Sequence, residues 1–374
     1  MKKLMLNYTI LLCSLLLGFQ MVATRVGDLD FSRVTVDVGA EPAAVVAVDL
    51  DQDNHKDLVV ANQGDHTLSL LRGDGNGNFT PFPTDRIAAG ENPADLAVGD
   101  FNEDNHVDLV VANHATNYLT ILLGNGNGTL SPVPNSPLKV DITPHPHAIV
   151  AIDLDFDEHI DLVIDDREAG SLFVLKGRGD GSFKHDGTRI PVGGDPYRGM
   201  AVGDLNGDGR FDFVTPNDHA VAVVLDDGSG GFRSASGAPL RVSQPFAVEL
   251  GDFNDDGFLD VIVGSIQSSV SIFSGHGAGG FIEAEGSPWQ AGSGGKKIAT
   301  GDLNGDGITD AAVCSYNSKQ VSVLFGSSSK IELFSVTAGR NPWDVALSDL
   351  NEDGRNDLVI VNQGSHDLTI YLSR

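Results

Sequence analysis

Beyond residue 23, apolar residues in this chain come in short bursts rather than long runs. Leu58-Val59-Val60-Ala61, Leu96-Ala97-Val98, Met200-Ala201-Val202 and Leu358-Val359-Ile360-Val361 are each bounded by Gly, Asp, Asn or Pro. Bursts of that length between turn residues predict strands, not helices. A further run, Thr67-Leu68-Ser69-Leu70-Leu71, leads into a Gly-rich tip at Gly73, Gly75 and Gly77 that is closed by Phe79. The same tip recurs as Gly177, Gly179, Gly181 and Phe183, and as Gly275, Gly277, Gly279 and Phe281. A fourth, weaker strand then runs to a Pro (Pro42, Pro93, Pro146, Pro196, Pro245, Pro342) that precedes the next first strand.

The pattern has a fixed period. A nine-residue loop, Asp-x-Asp/Asn-x-Asp-x-x-x-Asp, starts at Asp49, Asp100, Asp153, Asp204, Asp252, Asp302 and Asp349, at intervals of 51, 53, 51, 48, 50 and 47 residues. Four short strands in about 50 residues are one blade of a β-propeller. The fold expected is all-β: a seven-bladed propeller of four-stranded blades in a single domain over residues 24–374. The last unit stops at Arg374 after Leu368-Thr369-Ile370-Tyr371-Leu372, one strand short, while a spare strand, Val34 to Gly39, stands before the first unit. The N-terminal strand is therefore expected to close the seventh blade and remove a free sheet edge.

The loops predict metal. Side-chain oxygens at positions 1, 3, 5 and 9, with a carbonyl at position 7, can wrap a hard cation, and Ca²⁺ accepts six to eight oxygens in flexible geometry. The candidate ligands are Asp49, Asp51, Asp53 and Asp57; Asp100, Asn102, Asp104 and Asp108; Asp153, Asp155, Asp157 and Asp161; Asp204, Asn206, Asp208 and Asp212; Asp252, Asn254, Asp256 and Asp260; Asp302, Asn304, Asp306 and Asp310; and Asp349, Asn351, Asp353 and Asp357. These positions hold 23 carboxylates, whose mutual repulsion calls for a counter-ion. An EF-hand is excluded, because position 12 is a strand former in every loop (Val60, Val111, Ile164, Thr215, Val263, Val313, Ile360). Position 6 is Gly209, Gly257, Gly307 and Gly354 in the last four loops but Asn54, Asn105 and Glu158 in the first three. Glu158 fits a left-handed turn badly, so unequal occupancy of up to seven Ca²⁺ sites is expected. His55, His106 and His159 at position 7 are expected to be exposed side chains.

Units such as Pro93 to Asp108 and Pro342 to Asp357 resemble FG-GAP/VCBS repeats, the blades of integrin α-subunit propellers and of many secreted bacterial proteins. The resemblance spans roughly residues 31 to 374 and implies structural Ca²⁺ in the matching loops. Blade six departs from it with the tip Gly326-Ser327-Ser328-Ser329. The family's functions range over adhesion, sugar binding and accessory domains of enzymes, so fold alone does not choose among them.

Composition narrows the choice. The net charge is −28, which disfavours nucleic acid and anionic lipid as partners. Lys2 and Lys3 followed by a largely apolar run to Phe19 read as a signal peptide over residues 1–23, making the product secreted, extracellular or periplasmic and without a stable membrane span; a monomer is expected. Cys314 stands in a strand and is expected to be a buried, inert thiol, and no disulfide framework exists. Asn78 and Asn127 begin glycosylation sequons, and Arg72-Gly73-Asp74 and Arg178-Gly179-Asp180 are RGD triplets whose Gly-Asp content the turn itself favours. No nucleophile elbow, His-Glu-x-x-His or phosphate loop is present, and His145 with His147 makes only one His-x-His.

The first strand runs from each Pro to an acidic loop, so residues after the Pro ring the opposite mouth of the channel. That ring reads Ala43, Ala94, His147, Tyr197 with Arg198, Phe246, Lys296 and Trp343. Its aromatic and basic members (His147, Tyr197, Arg198, Phe246, Lys296, Trp343) are the candidate ligand site, with ordinary packing between blades as the rival reading. The function expected is a calcium-binding module for a protein or carbohydrate. A secreted polysaccharide-active enzyme on the same scaffold is the alternative.

Overall fold

The second strand of every blade is buried on both faces, which is why it reads as an unbroken apolar run. These strands are Asp57–Asn62, Asp108–Asn113, Asp161–Asp166, Asp212–Pro216, Asp260–Ser265, Asp310–Ser315 and Asp357–Asn362. The computed structural model describes residues 22–26, 29–184, 187–197, 199–218 and 220–374, and it arranges them in seven antiparallel sheets. In blade 1 the inner strand Pro42–Val48 pairs with Asp57–Asn62, which pairs with Thr67–Gly73, which pairs with Phe79–Ala88. Blades 2 to 6 keep that order, with the outer strand broken in two in blades 2 and 5.

Closure follows the expectation. Leu29–Asp37 pairs with Asp367–Ser373, from Phe31 opposite Ser373 to Asp37 opposite Asp367. A further strand, Val22–Val26, pairs outside it. The expected signal peptide lies outside the described residues except at Val22 and Ala23, which are the first two positions of that outer strand. Among the described residues no helix is long and apolar enough to cross a membrane.

The core is divided into seven wedges, each between neighbouring blades. Val34, Leu368 and Ile370 of blade 7 meet Val45, Leu58 and Phe79 of blade 1 in one wedge. Phe101 of blade 2 meets Ile164 and Phe183 of blade 3 in another. The five remaining pairs of neighbours are filled in the same way, so the ring has no seam. The hairpin tips add a polar link between blades. The third tip glycine donates its N–H to a loop carbonyl of the preceding blade: Gly77 to Leu350, Gly128 to Leu50, Gly181 to Phe101 and Gly279 to Leu205. Gly77 has φ +78°, which favours glycine, and a Cβ there would lie 2.3 Å from the Leu372 Cδ1 and push that side chain aside. The serine tip of blade 6 keeps the link through Ser327, whose N–H reaches the Phe253 carbonyl at 2.8 Å.

Deleting residues 33–38 removes most of the pairing partner of Asp367–Ser373 together with Val34, Val36 and Val38 of the closing wedge. The expected outcome is aggregation or a large drop in melting temperature, read by size-exclusion chromatography and calorimetry. A monomer with the parent melt would show that this strand does not close the ring.

Candidate functional site

The acidic loops all lie at the inner-to-second-strand turn, and one hydrogen-bond network recurs in all seven. The position-9 aspartate is fully buried in each (Asp57, Asp108, Asp161, Asp212, Asp260, Asp310, Asp357). One of its oxygens accepts the N–H of position 2, from Leu50, Phe101, Leu154, Leu205, Phe253, Leu303 and Leu350. The other accepts the N–H at the end of the third strand, from Gly73, Gly124, Gly177, Asp226, Gly275, Gly326 and Ser373. In six of them burial is the larger influence and pushes Asp57, Asp108, Asp212, Asp260 and Asp357 up to about 6 and Asp310 to about 7, against the pull of the two N–H donors. The clamp between three chain segments was not foreseen, because the spacing alone shows an oxygen and not its partner.

Position 1 accepts the N–H of position 6 in every loop, for example Asn54 to Asp49 at 2.9 Å and Gly209 to Asp204 at 2.8 Å. Position 5 accepts the N–H of position 7 in every loop. These bonds set the backbone whatever the residue. Glu158 is left-handed at φ +73° like its glycine counterparts, and its N–H reaches Asp153 at 3.0 Å. Position 4 is left-handed too, from Gln52 to Glu352. The expectation that Glu158 resists the turn is thus corrected: the aspartate at position 1 imposes it.

The donor set fits a divalent cation. One carboxylate oxygen each from Asp49, Asp51 and Asp57 lies within 4.8 Å of the others, and Asp153, Asp155 and Asp157 converge likewise. The Oδ1 atoms of Asp49 and Asp51 are buried without a hydrogen-bond partner. In three loops a Lys or Arg pairs with the acids. Arg72 meets Asp51 at 2.7 Å and Asp53 at 2.8 Å, so the blade-1 RGD arginine is engaged by its own blade. Lys176 meets Asp161 at 2.7 Å and Asp155 at 3.0 Å, and Arg210 meets Asp208 and Asp226. His55 and His159 are partly exposed and pair with Glu352 and Glu103 of the neighbouring loops.

On the opposite face the predicted ring comes together. Ala43, Ala94, His147, Phe246, Lys296 and Trp343 line one cavity of about 140 Å³ with Gln63, His114 and Lys297, and none of these nine residues is a carboxylate. Tyr197 extends the wall, its ring 5.1 Å from His147 and 5.4 Å from Phe246. The Lys296 ammonium sits 4.3 Å from the Phe246 ring centre, 4.9 Å from Trp343 and 5.4 Å from Tyr316. His147 and Phe246 are 5% and 3% exposed and form the floor, whereas Tyr197, Lys296 and Trp343 are only partly buried. Arg198 lies outside the described residues. A second ring was missed: Gln63, His114, Arg167 and Tyr316 each stand just after a second strand, and Arg167 covers Tyr197 at 4.6 Å. Their shared place in the repeat was the available signal.

Below the mouth, the channel holds Lys297 among Asp95, Glu249 and Asp344, around a cavity of about 330 Å³. Lys297 Nζ is 3.2 Å from Asp95 Oδ1. Burial opposes the ammonium, but the Asp95, Asp344 and Glu249 charges outweigh it and hold Lys297 above its usual range. Burial raises Glu249 to about 7 and Asp344 to about 6, with Lys297 pulling both down. Cys314 is buried and its thiol is pushed well up by that burial, as expected of an inert group.

Comparison with known proteins agrees with the geometry. Six overlapping stretches, 49–111, 100–164, 162–215, 204–263, 252–313 and 302–360, match the family model described as FG-GAP-like repeat. No curated protein matches the chain. Among solved structures, a crystal structure of BBS1N in complex with ARL6DN, soaked with lead, shares 17% identity over 91% of this chain and 97% of that one, with a TM-score of 0.62. A mercury-soaked structure of the same complex gives 16%, 91%, 94% and 0.65.

The channel acids generate a pH prediction. Glu249 binds its proton more tightly in the folded chain than its ordinary value of 4.5 allows, so the stability this contributes is present below 4.5 and lost as pH rises through about 7. Glu249→Gln should therefore lose less stability than the parent between pH 5 and pH 8 in urea melts. Equal losses would show that Glu249 ionises in the folded chain without cost.

Proposed function

The chain belongs to the FG-GAP-like repeat family, and we propose that its propeller is a binding module that docks a protein partner over the channel mouth. The observation that carries this reading is the partly exposed set Tyr197, Lys296 and Trp343 around a cavity without carboxylates. Aromatic and cationic side chains over a pocket are what interface anchors are made of. A cavity of about 140 Å³ takes one side chain, well under the roughly 300–1,000 Å³ of a small-molecule pocket, which favours protein over carbohydrate. A propeller of the same fold was solved in complex with a protein, ARL6DN, which lends further support.

The opposite face is proposed to hold structural Ca²⁺. The convergent carboxylates of blades 1 and 3 and the unpartnered oxygens of Asp49 and Asp51 support this reading. Export, inferred from Lys2, Lys3 and the apolar run after them, would give the loops access to calcium at the concentrations extracellular modules use.

Tyr197→Ala with Trp343→Ala should keep the parent melt and abolish recovery of the partner in quantitative crosslinking from source extracts, with a glycan array run alongside. An unchanged interactome would move the site, and a glycan hit lost in the double variant would favour sugar. Chelation should lower the melting temperature, and Ca²⁺ should restore it better than Mg²⁺. Each independent site at 100 times its Kd adds about 2.7 kcal/mol. An unchanged melt in chelator, with no metal by elemental analysis, would remove the calcium reading.

A further inference from the structure

The three loops whose acids pair with a Lys or Arg each hold a carboxylate at a position where most other blades have none. Blades 1 and 3 have Asp51 and Asp155 at position 3, where the other five have Asn. Blade 4 has Asn206 there, but Asp226 stands at the end of its third strand, where five blades have Gly and blade 7 has Ser373. Each added acid is met by a cation: Arg72 on Asp51, Lys176 on Asp155 and Arg210 on Asp226. Arg72 and Lys176 come from one register position, the residue before the third-strand N–H that the clamp binds. That position is Leu123, Leu225, Ser274, Phe325 and Leu372 in the other blades.

The chemistry explains the pairing. In blades 2, 6 and 7 the position-3 amide donates to position 5: Asn102 to Asp104 at 2.9 Å, Asn304 to Asp306 at 3.0 Å and Asn351 to Asp353 at 3.3 Å. Aspartate at position 3 has no N–H to give, so two carboxylates would face each other there. In blade 1 the Arg72 guanidinium bridges Asp51 and Asp53 instead. In blade 3 the Lys176 ammonium bridges Asp155 and Asp161.

We propose that Arg72 and Lys176 are built-in counter-ions that hold loops 1 and 3 together before any metal binds and weaken Ca²⁺ there by occupying the carboxylates with positive charge. The inference rests on the calcium reading for its second half only. The propeller thus has two kinds of loop: those that need an ion to offset their charge, and those that carry part of that charge themselves.

The test is a set of blade-1 variants. Arg72 is half exposed, so Arg72→Leu should fold, and leucine is what blades 2, 4 and 7 have at this position. In chelator it should melt lower than the parent by about 2 °C, the scale of a modest ion-pair loss. In chelator-competition titrations with Ca²⁺ alone it should bind one ion about tenfold or more tighter than the parent's weakest site. Asp51→Asn with Arg72→Leu rebuilds the Asn and Leu pair of blade 2 and should recover the parent melt in chelator. Arg72→Lys should stay close to the parent in both assays.

A single variant that melts like the parent in chelator, or a double variant no better than the single, would overturn the counter-ion role. A melt change as predicted with an unchanged Ca²⁺ titration would overturn the tuning role. If neither parent nor variants bound Ca²⁺ at any loop, the calcium reading and the tuning role would fall together, and the chelator melts would still decide the counter-ion role.

Discussion

Everything on both faces of this propeller depends on one buried carboxylate per blade. The position-9 aspartate starts the second strand and takes one N–H from the loop and one from the end of the third strand. Three strands are thereby pinned at one point, in a place where water cannot serve as substitute. A buried acceptor with two satisfied bonds is costly to remove, because its donors lose their partners as well. The clamp fixes where the loop leaves the sheet, the loop fixes where the hairpin tip of the next blade can bond, and the wedges between blades close over the result.

This arrangement separates the faces chemically. On one, the aspartates at positions 1, 5 and 9 are bound to backbone N–H groups in every blade, so they do not change along the repeat. Position 3 accepts the position-5 N–H in the five Asn loops, a bond that the side-chain oxygen of either Asp or Asn can make, and it is the one loop ligand that alternates between the two. On the other face the inner-strand starts are free of that duty and vary from Ala43 to Trp343. The mouth gathers lysine, histidine and aromatic groups in a chain of net charge −28, while the acidic loops point away from it.

Most of the architecture was legible because a period of about 50 residues repeats every strand, turn and loop. Seven in-phase copies also showed that the last blade lacked a strand and that Val34 to Gly39 supplied it. The mouth was legible for the same reason, as the position where the repeat stops repeating. Besides the clamp, three features were not. The link from Arg72 to Asp51 crosses 21 residues and depends on which side of the third strand faces the loop. The left-handed conformation of Glu158 is imposed by Asp153 against local preference. The channel set of Asp95, Glu249, Lys297 and Asp344 comes from four blades and becomes a cluster only when the ring closes.

The central claim is that backbone N–H groups, not a metal, hold the aspartate clamp. Native-state hydrogen exchange in excess chelator tests it at the amides of Gly73, Gly124, Gly177, Gly275, Gly326 and Ser373. The account predicts protection comparable to that of the buried second strands, with the tips between Gly73 and Phe79 and at the equivalent places exchanging faster. Clamp amides that exchange like the tips in chelator, and slow only when Ca²⁺ is added, would contradict it.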